Sequence, residues 1–232
     1  MQLEEIRRHA KSEGMKLHPL KTRAFYLNGY DFAPTTVFDI GVHDGTPWLY
    51  RSFPEASFVL IDPQPECGEL VRASGKLEQF DFHAVALGAG EGEATLNVPQ
   101  TEPGKGGAMA SLLERRDPLA DSFQSVTQQK VAVRRLDDLA AQYDGPYGIK
   151  IDTEGFEVPI LQGAEETLKR ADFVILELSV TQRFDQSFKP SEATGLLARA
   201  GLELRDVLSV ADGPGRRAKP RHMDALFTRW AA

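Results

Sequence analysis

Short, continuous apolar runs alternate with amphipathic stretches from Thr36 onward, and this rhythm constrains the fold of the 232-residue chain more than any other feature. Runs such as "FVLI" and "FVIL" are typical of strands buried on both faces of a parallel sheet. The pattern predicts strands at 36–40, 57–62, 80–87, 147–152, 173–178, 202–210 and 224–230, with edge strands or a small excursion at 93–98 and 129–136.

Helix signals fall between the predicted strands. Thr46, followed by Pro47, and Ser191 are candidate N-caps, and Gly75 is a stop signal at a helix end. Strands that alternate with helices indicate an α/β fold with a doubly wound, mostly parallel sheet. The predicted helices are 46–53, 66–74, 158–170 and 191–200.

The two ends of the chain depart from this alternation. A short helix is predicted at 3–13, so residues 1–35 are expected to form an N-terminal helical extension to a domain at 36–232. The last two predicted strands are joined by a segment rich in glycine and proline that has no room for a helix. We therefore expect them to form a C-terminal antiparallel hairpin that closes the sheet.

The composition argues against several classes of protein. A formal net charge of −7 disfavours broad binding to a phosphate backbone. Cys67 is the only cysteine, so an intrachain disulfide and a multi-cysteine zinc site are excluded. The N-terminal residues lack the apolar segment of a signal peptide, and no apolar run approaches a membrane span in length. We expect a soluble, cytoplasmic protein that binds neither nucleic acid nor membranes.

The segment "FDIGVHDG" follows the first predicted strand. Gly41 allows a sharp turn, but its spacing to Gly45 is not that of the dinucleotide motif G-x-G-x-x-G. Asp39 and Asp44 add negative charge, which disfavours a pyrophosphate. Asp62, which ends the second predicted strand, is placed to bind ribose hydroxyls. A glycine loop and a ribose-binding acid without a phosphate site indicate S-adenosylmethionine as the ligand.

The segment "KIDTEGFE" carries a lysine and three carboxylates where a buried strand ends. Lys150 and Asp152 share one face of that strand, and its carboxyl end is the edge where open α/β sheets bind ligands. Three interpretations are open. Asp152 or Glu154 is a general base for a substrate hydroxyl; the carboxylates only position the substrate; or both, with Glu177, bind a divalent cation. Glu157 is equally well explained as an acid that stabilises the next helix start.

Three further residues are candidate substrate contacts. Lys150 could pair with a carboxylate and keep it ionised. Glu177 ends the strand next to Asp152. His222 follows "GRRAKPR" in the loop at 211–223, which is either a solvated surface feature or a loop that closes over an anionic substrate.

Several segments, in order, resemble the FkbM-type S-adenosylmethionine-dependent methyltransferases: "FDIGVHDG", "LIDPQPE", "HAVALGAGEGEATL", "VRRLDDL" and "IKIDTEGFEVPILQGAEETLKRADFVILELS". The resemblance implies a Rossmann-like class I methyltransferase fold and, usually, O-methylation of hydroxyls on sugars, polyketides or other small metabolites. It places Asp39 and Gly41 near the methionine end of the cofactor and Asp62 on the ribose. Val85 and Ala86 are implied to lie close to the adenine.

The chain departs from the family pattern Asp-x-Gly-Ala-Asn-x-Gly because His43 takes the Asn position and Asp44 follows it. Asp62 stands where the family more often has Glu, and Pro63 follows it. His43 could therefore face the substrate.

The sequence as a whole predicts an S-adenosylmethionine-dependent methyltransferase that acts on a hydroxyl. The alternatives are an NAD-type oxidoreductase and a non-catalytic nucleoside-binding module of the same fold. The sequence leaves a homodimer open. The predicted catalytic residues are Asp152 and Glu154, without a bound metal, and the predicted cofactor contacts are Asp39, Gly41, His43, Asp44, Gly45, Asp62, Pro63, Val85 and Ala86.

Overall fold

The computed structural model describes residues 3–17, 19–102, 105–212 and 220–230. Its helices are α1 Leu3–Ser12, α2 Ala24–Leu27, α3 Pro47–Ser52, α4 Glu66–Ser74, α5 Leu136–Ala140, α6 Glu157–Gln162, α7 Glu165–Lys169 and α8 Pro190–Arg199, with a 3₁₀ helix at Pro118–Ser122. Its strands are β1 Thr36–Ile40, β2 Ser57–Ile61, β3 Asp81–His83, β4 Ala86–Leu87, β5 Gly92–Glu102, β6 Lys105–Gly106, β7 Ser125–Arg134, β8 Tyr147–Ile151, β9 Ala171–Ser179, β10 Leu202–Asp212 and β11 Pro220–Arg229.

The main sheet has seven strands in the order β10-β11-β9-β8-β1-β2-β3. The pairs from β9 to β3 are all parallel. Along β1, Phe38 and Ile40 pack into one hydrophobic cluster and Val37 into a second one, because successive side chains point to opposite faces. Helices cover both clusters, so the predicted doubly wound sheet is confirmed.

The predicted C-terminal hairpin is also confirmed. Strands β10 and β11 are antiparallel, and β11 runs antiparallel to β9. The middle of the basic loop predicted at 211–223, residues 213–219, lies outside the described residues. The two ends of that loop belong to β10 and β11.

A second sheet has the strand order β4-β7-β5-β6. The single strand predicted at 80–87 is wrong, because the chain is divided into β3 of the main sheet and β4 of the second sheet. The excursion predicted at 93–98 and 129–136 is the antiparallel pair β5–β7. Leu96, Val98 and Val131 close this sheet over a small hydrophobic core.

Two helix predictions need correction. The helix predicted at 158–170 is interrupted between α6 and α7, since Gly163 lies so close to the backbone of Gly88 that a Cβ there would overlap the Gly88 carbonyl oxygen. The N-cap of α8 is Lys189 rather than Ser191, and Glu192 accepts a hydrogen bond from the Lys189 N–H at 2.7 Å.

Part of the predicted N-terminal extension packs against the main sheet. Leu27 is fully buried, and Lys21 Nζ lies 2.5 Å from Asp206 Oδ1 on β10. The division at residue 35 therefore stays a prediction. No helix in the described part of the chain combines the length and apolar character needed to cross a membrane.

Candidate functional site

A cavity opens at the carboxyl ends of β1, β2 and β8, with about 560 Å³ of free space that includes its open mouth. Parallel strands present their carboxyl ends at one edge of the sheet, which is where ligands of open α/β sheets bind. The predicted site residues that line it are Gly41, His43, Asp62, Pro63, Val85, Ala86, Asp152 and Glu154. The predicted residues that lie outside its lining are Asp39, Asp44, Gly45, Lys150, Glu177 and His222.

Gly41 brings the loops after β1 and β8 together. Its φ of 76° is in the left-handed region that favours glycine. A Cβ at this position would overlap the carbonyl oxygen of Asp152. The glycine is therefore required for the close approach of two backbone segments at the floor of the cavity.

Asp62 fixes the wall that faces this floor. Its Oδ2 accepts a hydrogen bond from the His43 N–H at 3.0 Å, and its Oδ1 accepts one from the Gln64 N–H at 2.9 Å. Each carboxylate oxygen has a second lone pair, so Asp62 can still accept hydrogen bonds from the hydroxyls of a ligand.

Asp44 and Gly45 face away from the cavity. Asp44 Oδ2 lies 2.5 Å from Lys76 Nζ, and this hydrogen bond lowers the pKa of Asp44. Gly45 has a φ of 97° and lies against the side chain of Tyr50. Both residues shape the loop, and their predicted cofactor contacts remain predictions.

Val85 and Ala86 lie where the chain passes from β3 to β4, and the Val85 N–H donates to the His83 carbonyl at 3.0 Å. Both line the cavity together with apolar side chains that include Leu87 and Ile61. This wall is suited to a flat, apolar ring.

Asp39 and Lys150 form a buried ion pair beneath the floor of the cavity. Asp39 is fully buried; its Oδ2 accepts a hydrogen bond from Tyr50 Oη at 2.7 Å, and its Oδ1 has no hydrogen-bond partner. Lys150 Nζ lies 3.6 Å from Asp39 Oδ1 and 3.2 Å from Asp152 Oδ2. Burial alone would lower the pKa of Lys150, but the carboxylates of Asp152 and Asp39 outweigh it and raise that pKa.

Asp152 faces the cavity from the end of β8, and 38% of its side chain is exposed. Burial would raise its pKa, but Lys150 and a hydrogen bond with Glu177 outweigh burial and lower the pKa to about 2. The Lys150 ammonium 3.2 Å from its Oδ2 favours the ionised form, which is a weak base. This ion pair therefore favours the interpretation in which Asp152 positions a substrate.

The Glu154 carboxylate forms ion pairs with two guanidinium groups. It has a φ of 53°, and its Oε2 accepts hydrogen bonds from Arg115 Nη2 at 2.6 Å and from Arg183 Nη2. Its carbonyl oxygen accepts a hydrogen bond from Ser111 Oγ at 2.7 Å. Because two ion pairs hold this carboxylate against Arg115 and Arg183, the arrangement favours Glu154 as a residue that positions the two arginines.

Glu177 is buried behind Arg183, which donates a hydrogen bond to its Oε1. His222 Nδ1 lies 3.1 Å from the same oxygen but is not aligned for a hydrogen bond. Burial, followed by the charge of Asp152, raises the pKa of Glu177, and burial together with Arg183 lowers the pKa of His222. Neither residue lines the cavity, so their substrate contacts remain predictions.

Glu157 does more than stabilise a helix start. It is buried, and its Oε1 accepts hydrogen bonds from Thr153 N at 3.1 Å, Thr153 Oγ1 at 3.2 Å and Gly155 N at 3.0 Å. These bonds hold the loop that carries Glu154. Burial raises the pKa of Glu157 to about 7.

The sequence analysis missed the arginines of this region. Arg183 is almost fully buried in the loop after β9, and Arg115 is buried in the segment after β6. Arg221 Nη2 lies 2.6 Å from Asp117 Oδ2, which is 3.4 Å from Arg115 Nη1. The sequence does place Arg183 after β9, which ends at the same edge of the sheet as Asp152. No local motif predicts the partners of this arginine.

The divalent-cation interpretation is not supported. Among the residues that the structure describes, no group of three His, Cys, Asp or Glu side chains is arranged to hold a metal ion. Arg183 lies between Glu154 and Glu177 and supplies the positive charge that a cation would have brought.

The fold and the cavity together have the architecture of the class I S-adenosylmethionine-dependent methyltransferases. The order of the main sheet, the parallel strands and the C-terminal hairpin establish the architecture. The cavity offers an acid on the wall, a glycine loop at the floor and an apolar side. The carboxylate of Asp62 lines this cavity and keeps lone pairs free, which fits a cofactor that carries ribose hydroxyls.

The chain belongs to the FkbM methyltransferase family, because the model of the methyltransferase FkbM domain matches residues 39–212. The cofactor is accordingly S-adenosylmethionine. No curated protein matches the sequence.

A solved structure supports the fold. The methyltransferase FkbM from Methylobacillus flagellatus KT has a TM-score of 0.53 at 14% identity over 91% of this chain and 48% of that chain. The chain thus spans about half the length of that relative.

Two further structures are less similar. A TehB-like SAM-dependent methyltransferase from Corynebacterium glutamicum ATCC 13032 Kitasato has a TM-score of 0.43 at 10% identity over 98% and 96% of the two chains. The precorrin-6y C5,15-methyltransferase from Geobacter metallireducens GS-15 has a TM-score of 0.42 at 13% identity over 85% and 81%.

Proposed function

We propose that this methyltransferase transfers a methyl group from S-adenosylmethionine to a hydroxyl of a small metabolite or sugar. The observation that carries the proposal is the cavity itself, with Asp62 on one wall and the ionised Asp152 at the floor. The choice of oxygen as the acceptor atom rests on the resemblance to FkbM-type enzymes, which usually methylate hydroxyls.

The cavity residues divide into a ribose side and a methionine side. Asp62 would accept hydrogen bonds from the ribose hydroxyls, beside the apolar wall formed by Val85 and Ala86. The loop at Gly41 would hold the methionine end above the buried Asp39. The cavity has no G-x-G-x-x-G turn for a pyrophosphate, which counts against the NAD-type oxidoreductase.

When bound, the cofactor would supply a methyl group on a sulfonium centre, and the acceptor oxygen would take that methyl group as its bond to sulfur breaks. Asp152 would accept the hydrogen bond of the acceptor hydroxyl and align its oxygen for in-line attack. Because Lys150 lowers the pKa of Asp152, this carboxylate would not retain the proton, which would pass to solvent. Glu154 holds Arg115 and Arg183 in place and so keeps the loop after β8 fixed.

Titration calorimetry tests the proposal with S-adenosylmethionine, S-adenosylhomocysteine and NAD as ligands. We expect both sulfur ligands to bind and NAD not to bind. Transfer of a labelled methyl group to a panel of hydroxyl compounds should then follow. The absence of heat with both sulfur ligands would contradict the proposal, and binding without turnover would favour the non-catalytic nucleoside-binding module.

A further inference from the structure

A second depression, with about 1680 Å³ of free space, lies beside the cofactor cavity. One face of the second sheet forms its base, and the chain around the 3₁₀ helix and the segment after Arg183 form its sides. We call it the lateral groove. The residues that define it are Thr95, Asn97, Phe123, Gln128, Phe184 and Gln186.

The second sheet separates the lateral groove from the cofactor cavity. Asn97 and Gln128 are directly paired across β5 and β7, so their side chains share the face that lines the groove. Leu96 points to the opposite face and lines the cofactor cavity. A molecule in the lateral groove therefore lies against the polar face of this sheet.

The two cavities meet at one edge of the sheet. Ser111 and Leu112 line both of them. Ser111 Oγ is hydrogen-bonded to the Glu154 carbonyl, two residues after Asp152. A ligand that lies along the groove can thus present one end to the floor of the cofactor cavity.

The lining of the groove combines polar side chains with an apolar wall formed by Phe123 and Val126. Gln128 Nε2 donates to Asn97 Oδ1 at 3.1 Å, and the remaining lone pairs of both amides can serve a ligand. The charged groups are Glu114 and Asp185 against Arg115 in the lining and Lys130, which donates to Thr95 Oγ1 at 3.0 Å, so the two signs balance. This chemistry fits an uncharged molecule that carries hydroxyls on one side and apolar surface on the other.

Arg115 supplies an observation that is independent of the groove's shape. It lines the groove with a side chain that is only 5% exposed, and its guanidinium lies 4.7 Å from the Phe184 ring centre. Its Nε is buried, and no acceptor among the described residues binds it. Buried donors in folded proteins nearly always have an acceptor, so this N–H is available to an oxygen of a bound molecule.

We propose that the lateral groove is the binding site of the methyl acceptor, an assignment that rests on the proposed function. The acceptor is an elongated, uncharged molecule with hydroxyls along one side. Its body lies against β5 and β7, an oxygen accepts the hydrogen bond of Arg115 Nε, and its reacting hydroxyl reaches Asp152 past Ser111.

Cysteine protection tests the groove with a surrogate for the natural acceptor. Val126 is 50% exposed in the groove, and Leu204, on β10 of the main sheet, is 53% exposed and serves as the matched control. Cys67 is buried, so a maleimide should react with the introduced thiol of Val126→Cys or Leu204→Cys. The probe is octyl β-D-glucopyranoside below its micelle concentration, with octyl sulfate as the anionic comparison.

We expect octyl glucoside to slow the labelling of Val126→Cys about fivefold at a concentration several times its Kd, and to leave Leu204→Cys unchanged. Octyl sulfate should protect neither thiol. Gln128→Leu in the Val126→Cys background should reduce the protection, whereas Gln129→Leu, on the other face of β7, should not. Equal protection of both thiols, no protection by octyl glucoside, or equal protection by octyl sulfate would overturn the proposal.

Calorimetry with S-adenosylhomocysteine separates this proposal from the proposed function. The maleimide-labelled Val126→Cys protein should bind it as tightly as the unlabelled protein does, because the second sheet lies between label and cofactor. A loss of binding only in the labelled protein would overturn the assignment of two separate sites. A lack of binding in the unlabelled protein would contradict the proposed function itself.

Discussion

The cofactor wall and the arginine cluster are built in opposite ways. At the wall, Asp62 is held by the N–H groups of His43 and Gln64, which lie close to it in the chain. In the arginine cluster, Glu154 is held by the side chains of Arg115 and Arg183, which come from distant segments. The wall is held by backbone N–H groups, whereas the arginine cluster is held by ion pairs between buried side chains.

The difference determines how each region should respond to mutation. We expect a wall that backbone groups hold to tolerate the loss of a side chain. It should not tolerate the replacement of Gly41, the glycine that lets the loops after β1 and β8 meet. A buried charge network is sensitive to the removal of any one member, because the remaining charge is left without a partner.

Gly41→Ala should have the largest effect. The added Cβ would overlap the Asp152 carbonyl, and the φ of 76° is itself strained for alanine. We expect the free energy of unfolding in urea to fall by about 4 kcal/mol, since backbone overlap adds to a left-handed penalty of about 1–2 kcal/mol. Gly75→Ala is the control, because Gly75 has a φ of 63° with no atom near its Cβ position. Equal losses in the two variants would show that the contact of the two loops is unimportant.

Arg183→Met should come next. The substitution leaves Glu154 and Glu177 buried without their shared partner, so we expect a loss of about 3 kcal/mol in the free energy of unfolding at neutral pH. Arg116→Met is the matched control, because Arg116 and its ion-pair partner Glu114 are both exposed. If Arg183→Met were as mild as its control, the charge network would not hold this region together.

Asp62→Ala should weaken the binding of S-adenosylhomocysteine about tenfold to a hundredfold, measured by calorimetry, because hydrogen bonds to a charged group contribute about 1.5–3 kcal/mol. Asp152→Ala should change this affinity less and should mainly reduce methyl transfer. Equal or reversed effects on affinity would contradict the assignment of Asp62 to the ribose.

The effect of Glu157 on stability depends on pH. Burial raises its pKa from 4.5 to about 7, so the folded chain binds this proton more tightly than the unfolded chain does. Its contribution to stability is fully present below pH 4.5 and is lost as the pH rises through about 7. The slope is at most about 1.4 kcal/mol per pH unit.

Urea unfolding of Glu157→Gln across this pH range measures that contribution. The variant should show a flatter fall of stability with rising pH than the wild type, whereas the exposed Glu165→Gln should keep the wild-type slope. Because Glu177 titrates in all three proteins, the difference between them isolates Glu157. Identical slopes in all three would rule out a buried, titrating Glu157.

The sequence predicted the parts of the site that depend on local chain geometry. Gly41 and Asp62 follow buried strands, and the alternation of strands and helices brings those strand ends together. The arginine cluster could not be predicted in the same way, since the partners of Glu154 are set by the three-dimensional approach of distant segments. The helix predicted at 158–170 failed for a related reason, because the contact of Gly163 with Gly88 is a tertiary one.

A crystal structure with S-adenosylhomocysteine bound would test the assignment of the cofactor cavity directly. We expect ribose hydroxyls within hydrogen-bonding distance of the Asp62 carboxylate, the amino acid end at the Gly41 loop above Asp39, and the sulfur facing Asp152 where the cavity meets the lateral groove. A ligand whose ribose lies away from Asp62, or whose sulfur points away from that junction, would contradict it.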